Sequence, residues 1–200
     1  MRSPFDTDQQ NMDVNSKIVV ALERLSEAFR VLLWNEGKQN ALSPIQVQIL
    51  IFLLFHSREK CSVSYLAREF NMSKPTISDS IRSLLEKGLV RKYSNASDTR
   101  SYALGLTRAG ESMASQSANF ASAFEGPLEL LSGEQKKAML AGLFKIIQEL
   151  NQAGIITVQR MCFSCRNYRF LKGSHYCSLL ETRLAENELR LDCREHELKV

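Results

Sequence analysis

Apolar residues recur at helical spacing from the first quarter of the chain onward. Ile18, Leu22, Leu25, Phe29, Leu32 and Leu33 form a stripe, which Val19, Ala21, Ala28 and Val31 widen beyond one face. A helix that apolar needs more than one partner. Ser43-Pro44 supplies a cap and a first-turn proline for a second helix reaching about His56; its apolar run, 45–55, is far shorter than the ~20 residues needed to cross a bilayer. Ser64 predicts a short helix over 65–70, and Asn71-Met72-Ser73 a tight polar turn. A further helix is predicted over 74–87, with Ile77, Ile81, Leu84 and Leu85 inward and Gly88 as its left-handed cap. Segments 89–94 and 101–106 read as strands joined by the polar turn 95–100. Helix resumes from Thr107 to about Phe124, Gly126-Pro127 should break it, and Ser132 should cap a last long helix to about Gln152.

Helix, three-residue turn, helix and hairpin follow in the order of a winged helix-turn-helix, whose second helix enters the DNA major groove. On the face of 74–87 opposite Ile77 and Ile81, helical geometry sets Pro75, Thr76, Asp79, Arg82 and Ser83, with Lys74 at the helix start. These are short polar groups and two cations, suited to base edges and phosphates, although a solvated face has the same composition. Charge sharpens the picture. The chain of 200 residues carries +4 overall, divided as −1 for 1–56, +5 for 57–108, −2 for 109–154 and +2 for 155–200. The surplus lies on the segment whose pattern suits a polyanion.

The hairpin carries a more specific signal. Asp98-Thr99-Arg100-Ser101 followed by Leu106-Thr107 matches the wing signature D-x-R-S-x4-L-T of the MarR family. Ser73-Lys74-Pro75-Thr76-Ile77-Ser78 and 85–91 (LEKGLVR) add to the likeness, so residues 14–153 resemble a MarR-family regulator. The resemblance implies a homodimer joined through the first and last core helices, one recognition helix per subunit on a pseudo-palindromic operator in double-stranded DNA, and repression. It names no small-molecule effector. The candidate DNA contacts are Ser73, Lys74, Pro75, Thr76, Ser78, Asp79 and Arg82 on the helix, with Arg91, Lys92, Asp98 and Arg100 on the hairpin. Arg91 and Lys92 suit phosphates; Arg100 suits the narrow minor groove, and the Asp98 carboxylate suits orienting that guanidinium or simply forming the turn.

Beyond Gly154 the resemblance fades and a cysteine pattern begins: Cys162, Cys165, Cys177 and Cys193, spaced C-x2-C-x11-C-x15-C. Four thiolates complete a tetrahedral zinc shell, but they equally ligate an iron–sulfur cluster, and a thiol–disulfide pair or no ligand also fits the spacing. His196 with Cys162, Cys165 and Cys193 makes another zinc set; His175 and His196 are left outside the primary site. Cys61, remote in sequence, reads as a small buried hydrophobe. Leu179, Leu180, Leu184, Leu189 and Leu191 could pack on the dimer helices and transmit the state of the cysteine centre.

The expected architecture is therefore mainly α (α+β). It comprises a flexible arm over 1–15, a core over 16–153 and a cysteine-rich metal-binding extension over 154–200. Within the core, the winged helix-turn-helix spans about 44–107 and the dimerisation helices about 16–36 and 108–153. No phosphate loop, H-E-x-x-H or nucleophile elbow supports an enzyme. No signal-peptide or membrane pattern appears, which leaves the cytoplasm as the expected location. A metal-stabilised protein-interaction module is the other reading of the extension.

Overall fold

The computed structural model describes residues 3–95, 98–158, 160–171 and 173–199, without the side chains of Gln9 and 94–101. Within the expected N-terminal arm, α1 (Thr7–Met12) is a short helix. The Asp13 carboxylate then accepts hydrogen bonds from the backbone N–H groups of Asn15 and Ser16 and from the Ser16 hydroxyl, opening the long α2 (Val14–Gln39). These bonds, that of the Ser16 side chain foremost, hold Asp13 below the usual carboxylate range.

Ser43 and Gln46 form a reciprocal capping box that starts α3 (Pro44–Phe55). This helix carries the longest apolar run because it is central: it packs against α2, α5 (Lys74–Glu86), the second hairpin strand and α6 (Arg108–Ser117). Val47, Ile49 and Leu50 are wholly buried with Leu66, Ile77 and Leu84 from the helices beyond. Cys61 joins the same core, and burial pushes its thiol pKa up to about 11.

The helix expected from Ser64 is capped instead by Ser62, whose hydroxyl accepts from the Tyr65 N–H, so α4 runs Val63–Glu69. Asn71, at φ 51°, makes the turn into α5. Gly88 has the left-handed φ of 66° that ends α5. Strands β1 (Val90–Asn95) and β2 (Asp98–Leu106) pair antiparallel, from Val90 opposite Leu106 to Ser94 opposite Tyr102, before the register shifts. Thr107 fastens the hairpin base to α6: its hydroxyl donates to the Gly88 carbonyl at 2.7 Å and accepts from the Gly110 N–H at 3.1 Å.

One expected break is displaced. The helix begun at Arg108 ends at Ser117, and Gly126-Pro127 lies inside the short α7 (Glu125–Glu129). Proline in a first helical turn forfeits no hydrogen bond, because the opening N–H groups have no partner within the helix. Ser132 and Gln135 form a second capping box and start α8 (Gly133–Gln152).

Past α8 the chain forms an antiparallel sheet of β3 (Tyr168–Leu171), β4 (Ser174–Cys177) and β5 (Thr182–Leu184), in that order. Its small core joins Met161, Tyr168 and Leu189 to Phe144 of α8. Leu184 and Leu189 therefore do pack near α8, whereas Leu179, Leu180 and Leu191 are each over 40% exposed. Among the described residues no helix is long and apolar enough to cross a membrane.

Candidate functional site

Helix α5 divides its surface cleanly. Ile77, Ile81 and Leu84 are buried, while Lys74, Pro75, Thr76, Asp79 and Arg82 are exposed and Ser78 is half-buried. The Ser73 hydroxyl caps the helix by accepting from the Thr76 N–H, and lies 2.7 Å from the Thr76 hydroxyl. Both first-turn hydroxyls are thus fixed at the exposed N-terminus, the end of a helix dipole that favours anions. Arg82 and Asp79 pair at 3.2 Å, but both side chains are about two-thirds exposed, so water screens this contact and it leaves Arg82 available.

The hairpin continues the basic surface. Arg91 and Lys92 are exposed; Arg91 lies over the Tyr93 ring at 4.8 Å, and Lys92 over Tyr102 at 4.4 Å. Arg58, which the sequence did not single out, stacks on the same Tyr93 ring at 3.9 Å. Gly105 makes this possible, since a Cβ there would meet the Tyr93 ring at 2.4 Å. The side chains of Asp98 and Arg100 lie outside the described residues, so their expected pairing and minor-groove role rest on the sequence alone.

The four C-terminal cysteines converge. Cys162, Cys165, Cys177 and Cys193 line one cavity of about 30 Å³, walled by Tyr168, Leu179, Leu180 and Leu184 among others. All four are free thiols. Two N–H groups of Arg190 point at sulfur: its backbone N–H donates to Cys162 Sγ at 3.3 Å and its guanidinium to Cys193 Sγ at 3.5 Å. Among the described residues, no three His, Cys, Asp or Glu side chains are already gathered as a metal shell. His175 and His196 do not line the cavity: His175 Nδ1 is 2.6 Å from the Tyr168 hydroxyl and His196 Nε2 is 2.9 Å from the Ser164 hydroxyl.

What joins this module to the helix-turn-helix left no signal in the sequence. Arg160, almost wholly buried, donates to both carboxylate oxygens of Glu69 on α4, to both of Asp192 and to the Tyr65 hydroxyl. Burial opposes the Arg160 charge, but these bonds outweigh it and push its pKa up. Burial likewise opposes the Asp192 charge, and the bonds from Arg160 and His56 hold its carboxyl well below the usual range. Lys60 donates to the Arg194 carbonyl, Asn71 to the Ile155 carbonyl and Thr157 to the Arg68 carbonyl. Such pairings cross up to 136 residues of chain, and no local pattern encodes them.

Comparison with known proteins agrees with this geometry. Residues 42–101 match the model of the MarR family. A Staphylococcus aureus MepR–DNA complex is similar, at 24% identity over 66% of this chain and 97% of that one, with a TM-score of 0.58. The same protein in a DNA-binding conformation is 25% identical over 66% and 98%, also with a TM-score of 0.58. A MarR transcriptional regulator from Methanosarcina mazei Go1 is 19% identical over 70% and 98%, with a TM-score of 0.57. No protein of curated function matches the chain. The MarR-family match thus spans the helix-turn-helix and part of the hairpin, and the solved MepR structure shares this winged-helix fold over about two thirds of the chain.

Proposed function

We propose that this chain is a cytoplasmic transcription regulator that binds a pseudo-palindromic site in double-stranded DNA as a homodimer and represses neighbouring genes. DNA binding is carried by one observation: α5 presents its polar face and two cations to solvent beside exposed Arg91 and Lys92, while its apolar residues are all turned inward or half-buried. Lys74, Arg82, Arg91 and Lys92 supply phosphate contacts, and Thr76, Ser78 and Asp79 lie where a helix in the major groove meets base edges. MepR, similar in fold, has been crystallised with DNA.

The homodimer reading rests on unsatisfied apolar surface. Ile18, Val19, Leu25, Phe29, Val31 and Trp34 of α2 are between 38% and 62% exposed, and Met139, Ile146 and Leu150 of α8 are also exposed. Over its 26 residues α2 buries only Leu33 and Gly37 within its own chain. Patches of that extent are seldom left in water. Repression follows from the family resemblance, and the cysteine module is the proposed point at which a metal or redox signal acts on DNA binding.

Selection from a random pool of duplexes tests this reading. Enrichment of a two-fold symmetric sequence, abolished by Arg82→Glu, supports it; recovery of an unenriched pool contradicts it.

A further inference from the structure

We propose that Cys162, Cys165, Cys177 and Cys193 bind one zinc ion, and that the loaded site holds Arg160 against the first helix of the helix-turn-helix. Cys162 and Cys165 stand on one tight turn, closed by the Cys165 N–H donating to the Cys162 carbonyl at 2.9 Å. Cys177 ends β4, opposite Tyr168. Cys193 follows an isolated bridge between Arg160 and Asp192, and its N–H donates to the Arg160 carbonyl at 3.0 Å. Three separate stretches of chain thus bring every C-terminal thiol to one small cavity.

The surroundings fit a thiolate-bound ion. The Arg190 N–H groups aimed at the Cys162 and Cys193 sulfurs stabilise thiolates in the way outer-shell partners of metal sites do. Neutral thiols have no mutual attraction. An ion that displaces their protons would have to draw the four sulfurs closer than they stand around this cavity. Four cysteines satisfy the tetrahedral preference of zinc with no help from histidine, and both nearby histidines bond elsewhere. The module also needs a staple. Met161, Tyr168 and Leu189 are the only buried large apolar side chains among the described residues from 155 onward, too small a core to fix three short strands unaided.

Loading has a mechanical consequence. Arg160 lies two residues before Cys162, and Asp192 immediately precedes Cys193. Fixing those cysteines on one ion fixes both flanking members of the clamp on Glu69, within α4 and just ahead of the Asn71 turn into α5.

The full chain, purified anaerobically, is tested by elemental analysis and cobalt substitution, with hydrogen exchange before and after chelation. One zinc per chain, with tetrahedral cobalt–thiolate bands on substitution, is expected for wild type and Cys61→Ser. Cys162→Ser and Cys193→Ser should each lose at least half of that zinc. Chelation should speed exchange in residues 160–193 and in α4. Iron with acid-labile sulfide, absence of cobalt–thiolate bands, or equal zinc loss from Cys61→Ser would overturn the site; unchanged α4 exchange in the zinc-free protein would overturn its coupling. None of these readings involves DNA, so they stand or fall apart from the operator assay.

Discussion

Arg160 and Glu69 meet through two N–H···O contacts across 91 residues of sequence, tying the C-terminal module to α4, the first helix of the helix-turn-helix. Glu69 is 15% exposed, so removing the arginine leaves a largely buried carboxylate unpaired. Arg160→Met should therefore cost about 3 kcal/mol, with the loss confined to docking of the module. Limited proteolysis checks this: cleavage within 155–199 should accelerate while residues 44–107 stay protected. Unchanged cleavage would mean the clamp is energetically silent.

The base of the wing should be intolerant of a single methyl group. A Cβ on Gly110 would fall 1.9 Å from the Leu89 carbonyl oxygen, on the α6 turn capped by Thr107. Backbone cannot yield as a flexible side chain does. Gly110→Ala should lower stability by roughly 2–3 kcal/mol in thermal or urea denaturation; an unchanged melting temperature would show the α6–hairpin junction to be looser than this geometry.

Cys61 should be the slow thiol. Its folded pKa of about 11 lies above the ordinary 9.0, chiefly through burial, with Arg58 partly opposing. Raised in this sense, the shift contributes stability that is fully present below the unfolded pKa and is lost as pH rises through the folded value. Alkylation of the native protein at pH 8 should leave Cys61 unmodified in peptide mass spectra, with labelling appearing as pH approaches 11 or on unfolding. Rapid labelling at pH 8 would contradict its burial.

The exposed apolar faces of α2 and α8 should disappear from water on association. Leu25→Glu with Ile146→Glu is expected to convert a dimer to a monomer in sedimentation velocity and to weaken DNA binding at least tenfold, leaving helical content intact. A wild-type monomer at micromolar concentration would refute the homodimer reading.

How much of this could be read from the sequence depended on how local the signals were. Ser43 with Gln46, Ser132 with Gln135, and Gly88 act within one helical turn, so their caps could be placed at once. The α5 face was legible because burial of Ile77, Ile81 and Leu84 dictates what remains outside. Gly126-Pro127 misled because the pair reads as a breaker without regard to its position in a helical turn. The C-terminal sheet gave no periodic signal, having strands of three or four residues. The cysteine spacing suggested a centre, but its cavity, the Arg190 donors and the Arg160 clamp come from long-range packing.

Hydroxyl-radical footprinting on the selected duplex reports whether two α5 helices enter the major groove side by side. The expected result is two symmetric protected patches with centres about one helical turn, 10–10.5 base pairs, or a whole multiple of it apart, both lost with Arg82→Glu. A single asymmetric patch, or protection that survives Arg82→Glu, would contradict it.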